Sequence, residues 1–391
     1  MGATTDHALG RNLKFFCKKE SAAGGAYGTA SQEALAGGDA AKVLASSIEF
    51  TVTRSDRMDS RASRSVLERI TGKQEVSFSC ESYLLPAGGT EAPDIGPLIE
   101  AAMGGTFGAF STNAYKLSDS NALPTCRIAR TANGVFREDL FGAYVEEMSI
   151  SASGGEEPRI SFSGGAFNYA LTGTGAADGA GSTTSALSVH SGEGVNFMLG
   201  SVISLNSAER TITAKTGDNA LTINSDHSWS NDAAVTPSTY TETTAGIPIN
   251  GISGSLTLNS VTLPITAFDM TLTNNIKPLS DEAFEKGTSD FVAGFRSVTG
   301  SVTVRARKDF IKSLAQRYVH ITTTDPTFSS VPIMVTLGGV ATKKVLVAMS
   351  TCELDFGAID VPEAEEAILN IPFTSLGSSG GDELTLLWNQ S

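Results

Sequence analysis

Hydrophobic and polar residues alternate with a period of two along most of this chain. Ile48-Glu-Phe-Thr-Val-Thr-Arg54 sets Ile48, Phe50 and Val52 against Glu49, Thr51 and Thr53. Successive side chains of a strand point to opposite faces, so such a run predicts a half-buried strand. Glu75 to Leu84 alternates in the same way, with Val76, Phe78 and Cys80 on one face. Met148 to Ser153 and Arg159 to Ser163 do so too, and Gly154-Gly155-Glu156-Glu157-Pro158 between them predicts a hairpin. Further strands are predicted at 255–258, 268–273, 301–306, 333–337, 354–356 and 368–373. Two segments carry a helical period instead. One is 94–103, with Asp94 as N-cap, Ile95, Leu98, Ile99 and Met103 on one face, and Gly104 as the stop. The other is 308–318, with Phe310, Ile311, Leu314 and Tyr318 aligned.

These elements come in the same order twice. Strand 48–54, a long polar loop, strand 75–84, helix 94–103 and strands 144–153 and 158–167 form the first set. Strand 268–273, a long polar loop, strand 301–306, helix 308–318 and strands 351–359 and 367–375 form the second. Local wording agrees: Ile48 to Arg54 matches Phe268 to Asn274, and Ile70-Thr-Gly72 matches Val298-Thr-Gly300. A tandem duplication accounts for both. Between the sets, 176–185 reads as a small-residue linker and 186–245 as a small β insertion with loose Ser/Thr-rich flanks. The expected organisation is a first β domain over 1–170, a linker and small inserted β domain over 171–247, and a second β domain over 248–391.

Composition supports this β reading. The 391 residues hold 45 Ser, 41 Thr and 40 Gly, while charged residues reach only 18%. Net charge is −14, which disfavours tight phosphate binding. Cys17, Cys80, Cys126 and Cys352 lie far apart without C-x-x-C spacing, so reduced thiols are expected rather than a disulfide framework or zinc site. The polar start predicts no signal peptide, and no apolar run is long enough to predict a membrane-spanning helix.

Catalytic chemistry finds little support. The four histidines are scattered, and the Asp- and Asn-rich stretch around His227 lacks the spacing of a calcium loop. Gly173-Thr-Gly175 has no GK[ST] after it, and no G-x-S-x-G occurs. The paired acids Glu146-Glu147 and Glu156-Glu157 sit at strand starts and turns, as a solvated face would place them. Neither enzymatic activity nor a cofactor or metal is expected. The segment 54–73 stands out, with six bases against three acids, whereas 276–296 carries three bases against four acids. For 54–73, an assembly contact, a plain solvated loop and a nucleic-acid contact all remain open. Opposite signs in two equivalent loops favour protein–protein complementarity. The candidate contact residues are Arg57, Arg61, Arg64 and Arg69 on the first loop, and Asp281, Glu282, Glu285 and Asp290 on the second.

The layout resembles the tail tube proteins of bacteriophages with long, non-contractile tails. The residues that carry the resemblance are 48–54, the loop to Gly72 with Arg61-Ala-Ser-Arg64, 75–84, helix 94–103 and 148–162, together with their second-set equivalents. The resemblance implies a mainly β fold: two tandem tube-type β-sandwich units, each with one short helix, plus a small inserted β domain. It implies a virion structural protein, made in the host bacterial cytoplasm, that polymerises edge to edge into stacked rings. Two units per chain imply trimeric rings, with hexameric rings as the alternative. Its partners would be itself and the tape-measure, terminator and tip proteins. DNA would pass through the lumen without specific binding, and no membrane is involved. A competing expectation is a capsid-decoration or surface adhesin protein of tandem immunoglobulin-like sandwiches, which the same composition fits.

Overall fold

The computed structural model describes residues 12–21, 33–56, 69–132, 134–244, 246–251, 254–258, 261–279, 287–305, 331–341, 343–355, 359–360, 367–378 and 380–389. The fold is mainly β, with a single α-helix among these residues. The first set comprises β1 (Leu13–Lys19), β2 (Ala40–Ala41), β3 (Ala45–Asp56), β4 (Arg69–Tyr83), α1 (Gly96–Met103), β5 (Ala114–Lys116), β6 (Cys126–Ala132), β7 (Phe136–Ser153), β8 (Arg159–Gly165) and β9 (Asn168–Thr172). The stretch after it holds β10 (Gly175–Ala176), β11 (Gly181–Ser188), β12 (Val202–Leu205), β13 (Ala208–Thr216), β14 (Ala220–Trp229) and β15 (Ala234–Pro237). The second set comprises β16 (Gly254–Leu258), β17 (Val261–Leu263), β18 (Ile265–Thr273), β19 (Lys277–Leu279), β20 (Asp290–Val292), β21 (Ser297–Arg305), β22 (Val331–Leu337), β23 (Val345–Leu354), β24 (Ile359–Asp360), β25 (Ile368–Ser375) and β26 (Thr385–Leu387).

Each set builds a two-layer unit. In the first, β3, β4, β8 and the C-terminal half of β7 make the front layer; β1, β6, the N-terminal half of β7 and β9 make the back layer. β7 passes between layers because its register slips twice, opposite Cys126/Ile128 and at Val145/Glu147. An extra residue in one strand bends it. The second unit repeats the plan. β18, β21, β25 and the C-terminal end of β23 form its front layer, and β16, β22, β23 and β26 its back layer. Six antiparallel pairings of the first unit thus recur in the same order in the second.

The alternation has its cause in the core. Val145, Met148, Ile150, Phe162, Phe268, Met270, Leu272, Val302 and Phe373 all enter one buried cluster with Leu98, Ile99 and Met103 of α1. Phe268 and Phe373 stack in parallel with ring centres 6.3 Å apart. Gly300, opposite Met270 and Phe373, leaves room for the Phe373 ring: a Cβ there would lie 2.7 Å from it and would clash with the backbone of Asp269.

Several expectations need correction. The N-cap of α1 is Ile95, without a side-chain cap, and not Asp94; the helix ends at Gly104, in the left-handed region at φ 76°. Residues 176–185 are no linker, because β11 begins at Gly181 and pairs with β14. The 228–244 flank is ordered too, with Trp229 buried and β15 paired to β12. β10 to β15 form their own six-stranded sheet around a separate core of Phe197, Ile203, Leu205, Ile212, Leu221 and Ile223. Ser, Thr and Gly mask β11 in the sequence because short polar residues read as turns. The match of Ile70 with Val298 also slips. Ile48 pairs with Phe78 and Phe268 with Val302, so Val298 corresponds to Gln74, four residues further on. The helix expected at 308–318 lies outside the described residues.

Candidate functional site

The two front layers are one sheet. β7 of the first unit pairs antiparallel with β18 of the second, setting Met148 opposite Leu272, Ile150 opposite Met270 and Ala152 opposite Phe268. A shorter second bridge joins the back: β5, from the first unit, pairs with β26 of the second. The resulting front sheet runs β3-β4-β8-β7-β18-β21-β25-β23, eight strands built from the same four-strand order used twice. β24 continues the β23 end of that order along β25.

At the other end, β3 stands where β18 stands in its own unit, but among the described residues no strand lies along its outer edge. Among the described residues β3 pairs only with β4. Phe268, Met270 and Leu272 of β18 are buried, whereas Ile48, Phe50 and Val52 of β3 are only half-buried. Phe50 stacks on Tyr169 of β9 at 5.0 Å and 13°. A twelve-residue strand with one edge unpaired and one apolar face is a template for another chain. Completing the burial of three such side chains would stabilise a junction by a share of the roughly 1.5–3 kcal/mol that full burial of each is worth.

The outward face of the same sheet is hydroxylated and acidic. It carries Glu49, Glu75, Glu81, Glu147, Asp269 and Glu353 against the bases Lys73, Arg159 and Arg305. Arg159 is itself paired with Glu81 at 3.1 Å. Between them lie short hydroxyls that bond to one another or to acids, such as Ser47 with Ser79 at 2.8 Å, Ser149 with Ser161 at 2.7 Å and Ser301 donating to Asp269 at 2.6 Å. Such a face holds negative potential and offers no aromatic ring for a base to stack on.

The two charged loops leave the same end of the sheet and behave differently. β3 and β4 run beyond β8 as a two-stranded arm, with Arg54 opposite Thr71 and Asp56 opposite Arg69. Ile70 on it is 55% exposed. Of the expected contact residues, Arg57, Arg61 and Arg64 lie outside the described residues. Arg69 sits on the arm and pairs with Asp56 at 2.8 Å. In the second unit the equivalent segment folds back through β19 and β20. Its Phe291 packs on Tyr144 and Phe167 of the first unit at 5.2 and 5.9 Å. Burial there pushes the Tyr144 hydroxyl up to about 12. Asn274 donates to the carbonyls of Ala102 and Val145 at 2.9 and 3.1 Å, which fixes the root of the segment to the first unit. Asp281, Glu282 and Glu285 lie outside the described residues. Asp290 is exposed, and its carboxylate accepts from the N–H of Phe291. Arg69 and Asp290 are not brought together: each bonds within its own hairpin.

One buried charge cluster escaped sequence reasoning. Asp139 bridges Arg127 at 2.9 Å and Arg137 at 2.7 Å, all three nearly inaccessible on the outward side of the back layer. Burial works to raise the Asp139 carboxyl, but the two guanidiniums hold it below the usual carboxylate range. Arg137 also donates to Ser238 O and to the hydroxyl of Tyr240, which in turn donates to Glu209. The cluster therefore pins the inserted sheet to the first unit. Arg reads as a surface residue, and only its partners' positions reveal this burial.

Among the described residues no group of three or more His, Cys, Asp or Glu gathers as a metal site would, and no helix is long and apolar enough to cross a membrane. No family model matches the chain, and no curated protein is significantly similar to it.

Proposed function

We propose that this chain is the tube protein of a long, non-contractile bacteriophage tail, a virion component whose copies close into rings through their front sheets. The observation that carries the reading is the β7–β18 junction. It is a finished seam between two equivalent units, and the same unit leaves β3 open at the far end. Extending the pattern gives a head-to-tail interface, which makes a closed ring when the rotation closes. Three copies of the eight-stranded sheet close a pseudo-sixfold, 24-stranded ring. Closure removes the exposed edges that a free monomer must carry. The hydroxyl-and-carboxylate face then lines the lumen. It repels the phosphate backbone, so DNA slides through unbound. Stacked rings meet the tape-measure, terminator and tip proteins of the tail, and the chain is made in the host cytoplasm.

The seam also has a register. Superposing Ile48 on Phe268 brings Val52 onto Leu272, and the matching strand pairings bring Ile359 onto Met148. Since Met148 faces Leu272, Val52 faces Ile359 of the next copy, and Thr51 faces Asp360. The test is electron microscopy of the concentrated protein together with a Thr51→Cys/Asp360→Cys variant under mild oxidation. Threefold rings and a covalent ladder ending at a closed trimer are expected. The four native thiols are buried and give little background. Six chains per ring would overturn the trimer, and compact particles without a central hole would count against the tube.

A further inference from the structure

The inserted sheet sits on the side of the molecule where the chain is incomplete. At the internal seam two strands of the second unit face the first: β18 in front and β26 behind, the latter covered by β5. Their equivalents in the first unit are β3 and β9, and these neighbour each other through the Phe50–Tyr169 stack. Leu386 of β26 is fully buried at the internal seam, whereas Leu171, in the matching core-facing place on β9, is 39% exposed. The edge of β9 is not bare, however. Thr172 bridges to Phe197, Gly173 donates to Asn196 O at 2.7 Å, and the hydroxyl of Ser201 donates to Leu171 O at 2.9 Å. Residues 196–201 of the insertion thus occupy the place on β9 that β5 occupies on β26.

This segment and the residue before it expose apolar side chains. Val195 is 66% exposed and Leu199 38% exposed, beside Leu171. Exposed apolar residues grouped at one edge mark an interaction surface, unlike single ones scattered over a face. Leu171 lies on β9, whose Tyr169 stacks on Phe50 of the open β3 edge. The tether behind it is firm, since Tyr240 packs edge-on against Phe16 at 5.3 Å and joins the buried Arg137 cluster.

We infer that the insertion is a seam element: Leu171, Val195 and Leu199 dock against the second unit of a neighbouring copy of this chain. The inference rests on the tube reading. It makes seams between chains different from the seam within a chain, so that the insertion imposes threefold order on a pseudo-sixfold ring.

The test compares Val195→Asp/Leu199→Asp with the wild type by sedimentation velocity over a concentration series and by electron microscopy. Ser225→Asp, an exposed position elsewhere on the insertion, is the control. The double variant is expected to need at least tenfold more protein to assemble, with the melting of the monomer unchanged and the control assembling normally. A Val195→Cys variant adds a second readout: its thiol reacts freely in the monomer and is protected in rings. If the double variant assembles like the wild type, or the Val195→Cys thiol stays reactive in rings, the insertion is a free decoration and the tube reading stands without it. A wild-type chain that remains monomeric at every concentration overturns both.

Discussion

β18 and β3 hold the same place in two copies of one unit, yet one is a core strand and the other an edge. Both alternate, and both present three apolar side chains to the same side. The difference lies in what stands next to them: β7 covers β18, while β3 ends the sheet. Burial is therefore a property of the neighbour as much as of the strand. The back layers differ in a related way. On its outer face the first unit buries Arg127, Asp139 and Arg137 beneath the insertion's anchor, whereas the matching strands of the second unit carry Pro332, Met334, Leu346 and Ala348, exposed or half-buried. A covered face permits ionic pairs that a bare one has no use for.

The largest expected effect comes from that covered face. Asp139→Asn leaves two buried guanidiniums without their carboxylate and should cost about 3–5 kcal/mol in urea unfolding. The pH dependence has a definite sign. Because the Asp139 carboxyl lies below its ordinary value in the fold, its contribution is complete above the ordinary carboxylate pKa and fades as pH falls through the lowered one. The gap between wild type and variant should thus narrow in acid. An unchanged gap down to full protonation would show that the cluster does not act through its charge.

The strand pair itself gives the next contrast. Met270→Ala in the covered strand should cost about 2–5 kcal/mol of monomer stability. Phe50→Asp in the open strand should cost less monomer stability, about 1–2 kcal/mol for the lost stack on Tyr169 and its half-buried ring, and abolish assembly. Equal losses of monomer stability at both positions would mean that β3 is no free edge. A smaller effect is expected at Gly300, whose counterpart in the first unit is Val76. Gly300→Val imports that residue into the space before the Phe373 ring and should cost about 1–3 kcal/mol by overpacking. Differential scanning calorimetry would resolve it, and a neutral result would show that the second core yields as the first does. The smallest effect is at the exposed Arg69–Asp56 pair. Arg69→Ala should change monomer stability by at most about 1 kcal/mol.

Much of the fold was legible because alternation is a local signal. Ile48 to Arg54, Glu75 to Leu84 and Phe268 to Thr273 declare their strands wherever they are placed, and the repeated order points to duplication. Helix 96–103 was legible from its apolar face, though its cap was not, since Ile95 carries no capping side chain. β11 was harder, because Gly181-Ser-Thr-Thr-Ser185 has no apolar rhythm and becomes a strand only by pairing.

The sequence by itself determined the alternating strands, their two faces and the doubling of the unit, because each depends on residues a few positions apart. Only the tertiary structure decided which face is wet, which edge is left open, where the second loop folds back and what the insertion covers. Those outcomes depend on contacts between segments a hundred or more residues apart, such as Ile150 with Met270 and Arg137 with Tyr240. Periodicity along a chain carries no record of which distant strand will stand beside it.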